Sequence, residues 1–165
     1  MPGVRTSAVM TGIFWMADLK VATGIDSLDP GLDFSLYRGE FNSVAEIAGE
    51  ADSAGVINGL RIPEGSPAEN FGLVLTGYIM VPADGIWSFY TGSDDGVMVF
   101  IDDEPVVDGD VLHHGITNEG WAALRKGYHP IKVMYFQRLY RQRLSLSWEG
   151  PGLARQTVPP DVLFQ

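Results

Sequence analysis

From residue 71 onward the chain is cut at short, regular intervals by turn-forming residues. The runs "FGLVLTGYIMVP", "IWSFYTG", "VMVFID", "PVVDGD", "GWAALRKG", "HPIKVMYFQ" and "RLSLSWEG" follow one another, with Gly, Pro and Asp between them. Glycine supplies positive φ, proline presets φ for a turn, and aspartate tolerates the left-handed region. Apolar runs repeating every eight to twelve residues or so with this punctuation predict an antiparallel sandwich or barrel. No strand–helix alternation points to a parallel sheet. Upstream, "LDFSLYRG" sets Leu32, Phe34 and Leu36 on one face, as in a half-buried strand. Residues 43–55 read as one short helix through Val44, Ile47 and Ala51, capped by Ser43 with Glu46 three residues on. "RIPEGSPAEN" is a loop, and "ADG" turns the chain so that "IWSFYTG" runs back. The expected fold class is all-β, an antiparallel β-sandwich or barrel with at most one or two short helices.

At 165 residues the chain is long enough for one domain with a sizeable core. Its net charge of −10 repels phosphate backbones and makes nucleic acid a poor partner, while the carboxylate excess suits hard cations such as calcium. The absence of cysteine excludes disulfides, zinc–thiolate sites and thiol nucleophiles. No apolar run reaches the roughly 18 to 20 residues of a membrane helix. Residues 1–30 read as an N-terminal extension or linker ending in "IDSLDPG", with a β domain over 31–165. The run Ala8 to Ala17 is either a weak signal-peptide candidate or an edge strand or upstream remnant. The terminal "VLFQ" reads as a last strand, with a protease-tag scar as the alternative.

The chemistry-bearing residues narrow the reading. His113, His114 and His129 have no G-x-S-x-G elbow to serve, and neighbouring histidines on a strand would point to opposite faces. No EF-hand or phosphate loop is present, and nothing sets an acid and a base opposite each other as a glycosidase requires. Trp87 and Trp148 lie in predicted strands and are assigned to the core, while Trp121, at a predicted strand start, is open between core and surface.

Two aspartate doublets fence the run Val97 to Ile101. Asp102-Asp103 lies between two runs that pair naturally as a hairpin and is read as its turn. Asp94-Asp95 follows "FYTGS" and precedes Gly96. In an extended trans chain the two side chains would diverge, whereas a cis bond would turn both to one side. Carboxylates about 4 Å apart repel by roughly 1 to 4 kcal/mol, which a bound cation would offset. From spacing alone, "SDDG" is either such a site or an ordinary loop.

The stretch from Phe71 to Asp110, with "LRKGYHPIKVMYFQ", "LSLSWEGPG", "VPPDVL" and the opening "GLDFSLYRGEFNSVAEI", resembles the PA-fourteen domain family. The resemblance covers residues 31 to 165, with several motifs in family-like order. It implies a non-catalytic β-barrel or sandwich module found in glycosidases, adhesins, toxins and other extracellular proteins, and associated with carbohydrate binding. In the yeast adhesins of the family, an Asp-Asp pair with a cis peptide holds a calcium ion that also binds sugar hydroxyls, and Asp94 and Asp95 occupy that motif. The adhesins' further asparagine ligand is matched here by Gln137, whose longer stem needs a different loop. The following "RLYRQR" replaces the adhesins' sugar-selecting loop. Tyr140 there is a candidate to stack on a sugar ring, and Arg138 and Arg141 to hold a carboxylate or sulfate.

The resemblance thus implies a calcium-dependent glycan-binding module of a secreted, periplasmic or cell-surface glycan-processing or adhesive protein. An anionic glycan is the expected partner if the basic loop sets specificity. The alternative is an architectural module that packs on a neighbouring domain or partner protein, with the aspartates only shaping a loop.

Overall fold

The computed structural model describes residues 19–112 and 115–165. Eleven strands follow in order: β1 (Leu32–Arg38), β2 (Ser53–Ile57), β3 (Phe71–Val81), β4 (Gly85–Asp94), β5 (Val97–Ile101), β6 (Glu104–Gly109), β7 (Ile116–Leu124), β8 (Gly127–Gln137), β9 (Arg143–Gly150), β10 (Leu153–Thr157) and β11 (Leu163–Phe164). They form two antiparallel sheets. The larger runs β2-β1-β3-β8-β5-β6 with β11 paired to β3, and the smaller runs β10-β9-β4-β7. The all-β expectation holds.

Alternation puts one face of each sheet into a shared core. Phe71, Leu73, Leu75, Ile79 and Val81 point inward from β3, and Ile131, Val133 and Tyr135 from β8. From the smaller sheet come Trp87, Phe89, Leu146 and Trp148. Trp87 and Trp148 sit with ring centroids 4.7 Å apart, as the core assignment requires. Burying two indoles against each other removes several hundred Å² of apolar surface from water, the dominant stabilising effect in such a core. Trp121 on β7 is instead exposed.

One expectation is corrected. Residues 43–55 do not form a helix: a three-residue 3-10 turn (Val44–Glu46) is followed by strand β2. Ser43 still caps that turn, accepting from the Ala45 N–H at 3.2 Å, while Glu46 accepts from the Asn42 N–H at 2.8 Å. The turn stops because Val44 and Ile47 are drawn onto Phe136, and Ile47 is already extended. β4 runs back from β3, as read from the sequence, but the two strands enter different sheets. β3 pairs with β1, β8 and β11, and β4 with β7 and β9. Alternation is the same for a hairpin and for a strand that changes sheets, so it could not separate them. Residues 19–30, part of the stretch read as an extension or linker, pack on the β domain. Leu19 is buried, Lys20 bridges Leu124 and Thr23 bridges Tyr128. The stretches assigned to a signal-like run and to the His113-His114 pair lie outside the described residues.

Asp102 and Asp103 form the β5–β6 turn, with φ of 52° and 62°. Both being left-handed matches the two-residue turn that fits strand twist. Asp102 does more than turn. Its carboxylate lies 2.9 and 3.1 Å from Nδ1 of the buried His129, whose Nε2 donates to the Arg125 carbonyl at 2.8 Å. Both ring nitrogens face acceptors, so only the imidazolium satisfies both. Burial pushes His129 down, but the bonds to Asp102 and to the Arg125 carbonyl outweigh it and hold the pKa above its ordinary 6.5.

Candidate functional site

The chain changes sheets twice at one end of the sandwich. β4 ends at Asp94 and β5 of the other sheet begins at Val97; β8 ends at Gln137 and β9 begins at Arg143. Register brings these crossings together: Asp94 stands opposite Arg143, and Val97 opposite Tyr135. The Asp94–Asp95 peptide bond is cis. Both residues are buried, at 6% and 3% exposure, and Ser93 beside them is fully buried. The crossing is seated by reciprocal backbone bonds, Asp95 N–H to the Phe136 carbonyl at 3.2 Å and Phe136 N–H to the Gly96 carbonyl at 3.0 Å. Only glycine fits at 96, where a Cβ would stand 2.2 Å from the Phe136 ring.

The second crossing is tied to the first through side chains. Asp95 Oδ2 accepts from the Arg138 N–H at 2.8 Å. Tyr135, inward-facing on β8, donates its hydroxyl proton to the Asp94 carbonyl and lies 3.3 Å from Gln137 Oε1. One proton cannot serve both acceptors at once. Burial first, then the Asp95 and Asp94 carboxylates, push the Tyr135 phenol well above its ordinary value, so it remains a donor. Gln137 is fully buried and turns its amide nitrogen to the carbonyls of Leu139 and Tyr140, at 3.2 and 3.4 Å. These bonds shape residues 138–142 from inside. Glu69 adds a clamp from outside by accepting the Tyr140 N–H at 3.0 Å.

Of the residues picked from sequence, Asp94, Asp95 and Gln137 gather in this buried corner. Tyr140 stands at its rim, 77% exposed with φ of 72°. Arg141 is exposed beside it. Arg138 is turned away: its guanidinium donates to Asn42 Oδ1 at 2.6 Å and to Glu40 Oε2 at 3.3 Å, fastening the loop to residues 40–42. Sequence reading passed over Tyr135 and Glu69. Period-two alternation places Tyr135 on the face of Gln137 and could have flagged it. Glu69 lies 71 positions from its partner, and no local signal marks it.

The donors match a hard cation in kind: two carboxylates and one amide oxygen. They do not complete a shell. Among the described residues no group of three or more His, Asp or Glu side chains could hold a metal. Calcium takes six to eight oxygens, so backbone carbonyls and ligand hydroxyls would have to supply most of them.

A PA14 domain model matches residues 28–161. The chain belongs to the PA14 domain family. A β-hexosaminidase of Porphyromonas gingivalis is 37% identical over 62 residues, which are 36% of this chain and 8% of that protein, so this PA14 chain spans a small fraction of that relative. Solved structures with the same fold include the following. The PA14 domain of the antifreeze protein MpAFP has a TM-score of 0.72 and 17% identity, over 87% of this chain and 95% of that one. A PA14 sugar-binding domain from an RTX adhesin has a TM-score of 0.66 and 18% identity, over 83% and 99%. The Epithelial Adhesin 9 A domain from Candida glabrata, in complex with Galβ1-4GlcNAc, has a TM-score of 0.68 and 14% identity, over 90% and 94%.

Proposed function

We propose that this PA14 domain is a non-catalytic carbohydrate-binding module whose sugar site is the corner formed by Asp94, Asp95 and the loop 138–142. The observation that carries the reading is the pairing of two adjacent buried carboxylates with an exposed aromatic loop, joined by the Asp95–Arg138 bond. Burying carboxylates is costly unless something compensates them. Support comes also from the sugar-binding RTX adhesin domain and the Candida glabrata adhesin in complex with a disaccharide.

Asp94 and Asp95 would hold a calcium ion, and Gln137 would join them by presenting its amide oxygen. Bound there, calcium would offer coordination positions to neighbouring hydroxyls of a sugar. The chain's own residues do the remaining work. Tyr135 and Gln137 hold the corner and loop in shape, Glu69 fixes the backbone of Tyr140, and the Tyr140 ring offers an apolar face to a pyranose. Arg141 favours an acidic sugar, while Arg138 acts by fastening the loop. The β-hexosaminidase relative supports a place beside a glycan-processing domain, and the adhesin neighbours a place outside the cell or at its surface. No helix among the described residues is long and apolar enough to cross a membrane.

Calorimetry with calcium and a glycan array test the reading. Asp94→Ala and Asp95→Ala are each expected to abolish calcium heat and lower glycan affinity at least a hundredfold, together. Absence of calcium heat in the unaltered protein at millimolar metal sinks the cation, and a blank array points to the architectural alternative. Equal binding of neutral and of uronic or sulfated glycans removes the preference for acidic sugars.

A further inference from the structure

The outer face of the larger sheet is divided in two. Over the half nearer the Asp94-Asp95 corner lies the segment 39–52, whose Phe41, Val44 and Ile47 cover Val74, Met98, Met134 and Phe136. Gly72 permits that cover, because a Cβ there would meet Ile47 at 2.8 Å. The other half lies toward the Asp102-Asp103 turn and carries a groove of about 310 Å³. Asp33, Thr76, Lys132 and Phe100 form one cross-strand row of it, each opposite the next across β1, β3, β8 and β5. Tyr78, opposite Pro130, begins the next row, and Asp103 closes the end.

The chemistry of this groove is mixed in a particular way. The Lys132 ammonium lies over the Phe100 ring, 4.6 Å from its centroid, which holds the donor in place. Among the described residues it makes no salt bridge. Asp33 and Asp103 are exposed carboxylates that can only accept hydrogen bonds. Tyr78 and Phe100 are half-buried and offer ring surface between them. A ligand that complements this set presents several hydroxyls, some donating to carboxylates and one accepting from an ammonium, around an apolar C–H face. An anion would meet two carboxylates for one ammonium on a chain of net charge −10. The volume sits at the small end of ligand sites. A second depression of about 410 Å³ shares Asp103 and Pro130 and continues past the turn toward Lys20 and Glu104. The occupant can therefore be longer than one ring.

From this geometry we infer a second saccharide site, separate from the Asp94-Asp95 corner, that takes a neutral oligosaccharide along the groove between Asp33 and Asp103. It needs no cation, because every polar group it uses is a side chain of this chain. The site lies at the far end of β5 from the corner, with Val97 at one end of that strand and Asp103 just beyond the other.

The test is a titration of the ¹⁵N-labelled protein, in excess chelator so that the corner is deprived of calcium. The probes are cellohexaose, xylohexaose, mannohexaose and N-acetylchitohexaose, with hexagalacturonate as the anionic comparison. At least one neutral hexamer is expected to shift the amides of Thr76, Tyr78, Lys132 and Asp103. The Asp33→Asn, Asp103→Asn double variant is expected to weaken that hexamer at least tenfold, while Asp94→Ala changes its affinity less than twofold. Asparagine keeps the shape of both side chains and the left-handed turn at 103, and the variant's own spectrum verifies its fold. The site is overturned if no neutral hexamer moves these amides, if hexagalacturonate binds more tightly than every neutral hexamer, or if the double variant keeps its affinity. Shifts confined to residues 138–142 would belong to the corner and also count against the groove.

Discussion

The two aspartate doublets at the ends of β5 are alike in sequence and opposite in setting. Asp102-Asp103 joins two strands that are neighbours in one sheet. The chain reverses in two residues, Asp103 stays in water, and Asp102 is drawn only as far in as His129 requires. Asp94-Asp95 joins strands of different sheets, and the chain must pass over the end of the core. Its residues are consequently buried and tied to a loop that is 43 positions away in sequence. Whether a carboxylate pair stays at an open turn or is buried at the end of the core thus depends on which sheet the next strand enters.

If the doublets differ as their surroundings imply, Asp102 should be a matter of stability and the Asp94 corner a matter of calcium-dependent binding. Asp102→Ala leaves the buried His129 without its carboxylate partner. It is expected to destabilise the protein by about 2 to 4 kcal/mol in urea unfolding, with calcium heat and calcium-dependent glycan affinity at the Asp94-Asp95 corner unchanged. A parallel loss of binding would show that the two ends of β5 are coupled.

A smaller effect comes from pH. Because the folded-state pKa of His129 is raised above its ordinary 6.5, the stabilisation it contributes is fully present below that value. It is lost as pH rises through the folded-state pKa. Unfolding midpoints measured from pH 5.5 to 8.5 should therefore fall toward the alkaline end, and Asp102→Asn should flatten that slope. A midpoint that rises over this range would contradict the imidazolium assignment.

The smallest change in stability belongs to Asp103, whose part in the fold is a left-handed φ. Asp103→Asn is expected to stay within about 0.5 kcal/mol of the unaltered protein, and Asp103→Ala to cost roughly 1 kcal/mol. A larger loss for the asparagine variant would give the Asp103 carboxylate a structural role that its exposure does not suggest.

Much of this was legible in the chain itself. Alternation in "FGLVLTGYIMVP" and "HPIKVMYFQ", with turn residues between the runs, determined strands, their inward faces and the core tryptophans. Hairpin chemistry determined the Asp102-Asp103 turn, because turn geometry depends on neighbours in sequence. The family was legible from ordered motifs, and with it the choice of Asp94, Asp95 and Gln137 as residues to watch. Only the tertiary structure decided that β3 and β4 part company, that Asp102 meets His129, that Arg138 fastens a loop, and that Tyr135 and Glu69 brace the corner. Each of those depends on pairing between strands or loops far apart in the chain, and local propensity carries no record of which distant partner a buried polar group will find.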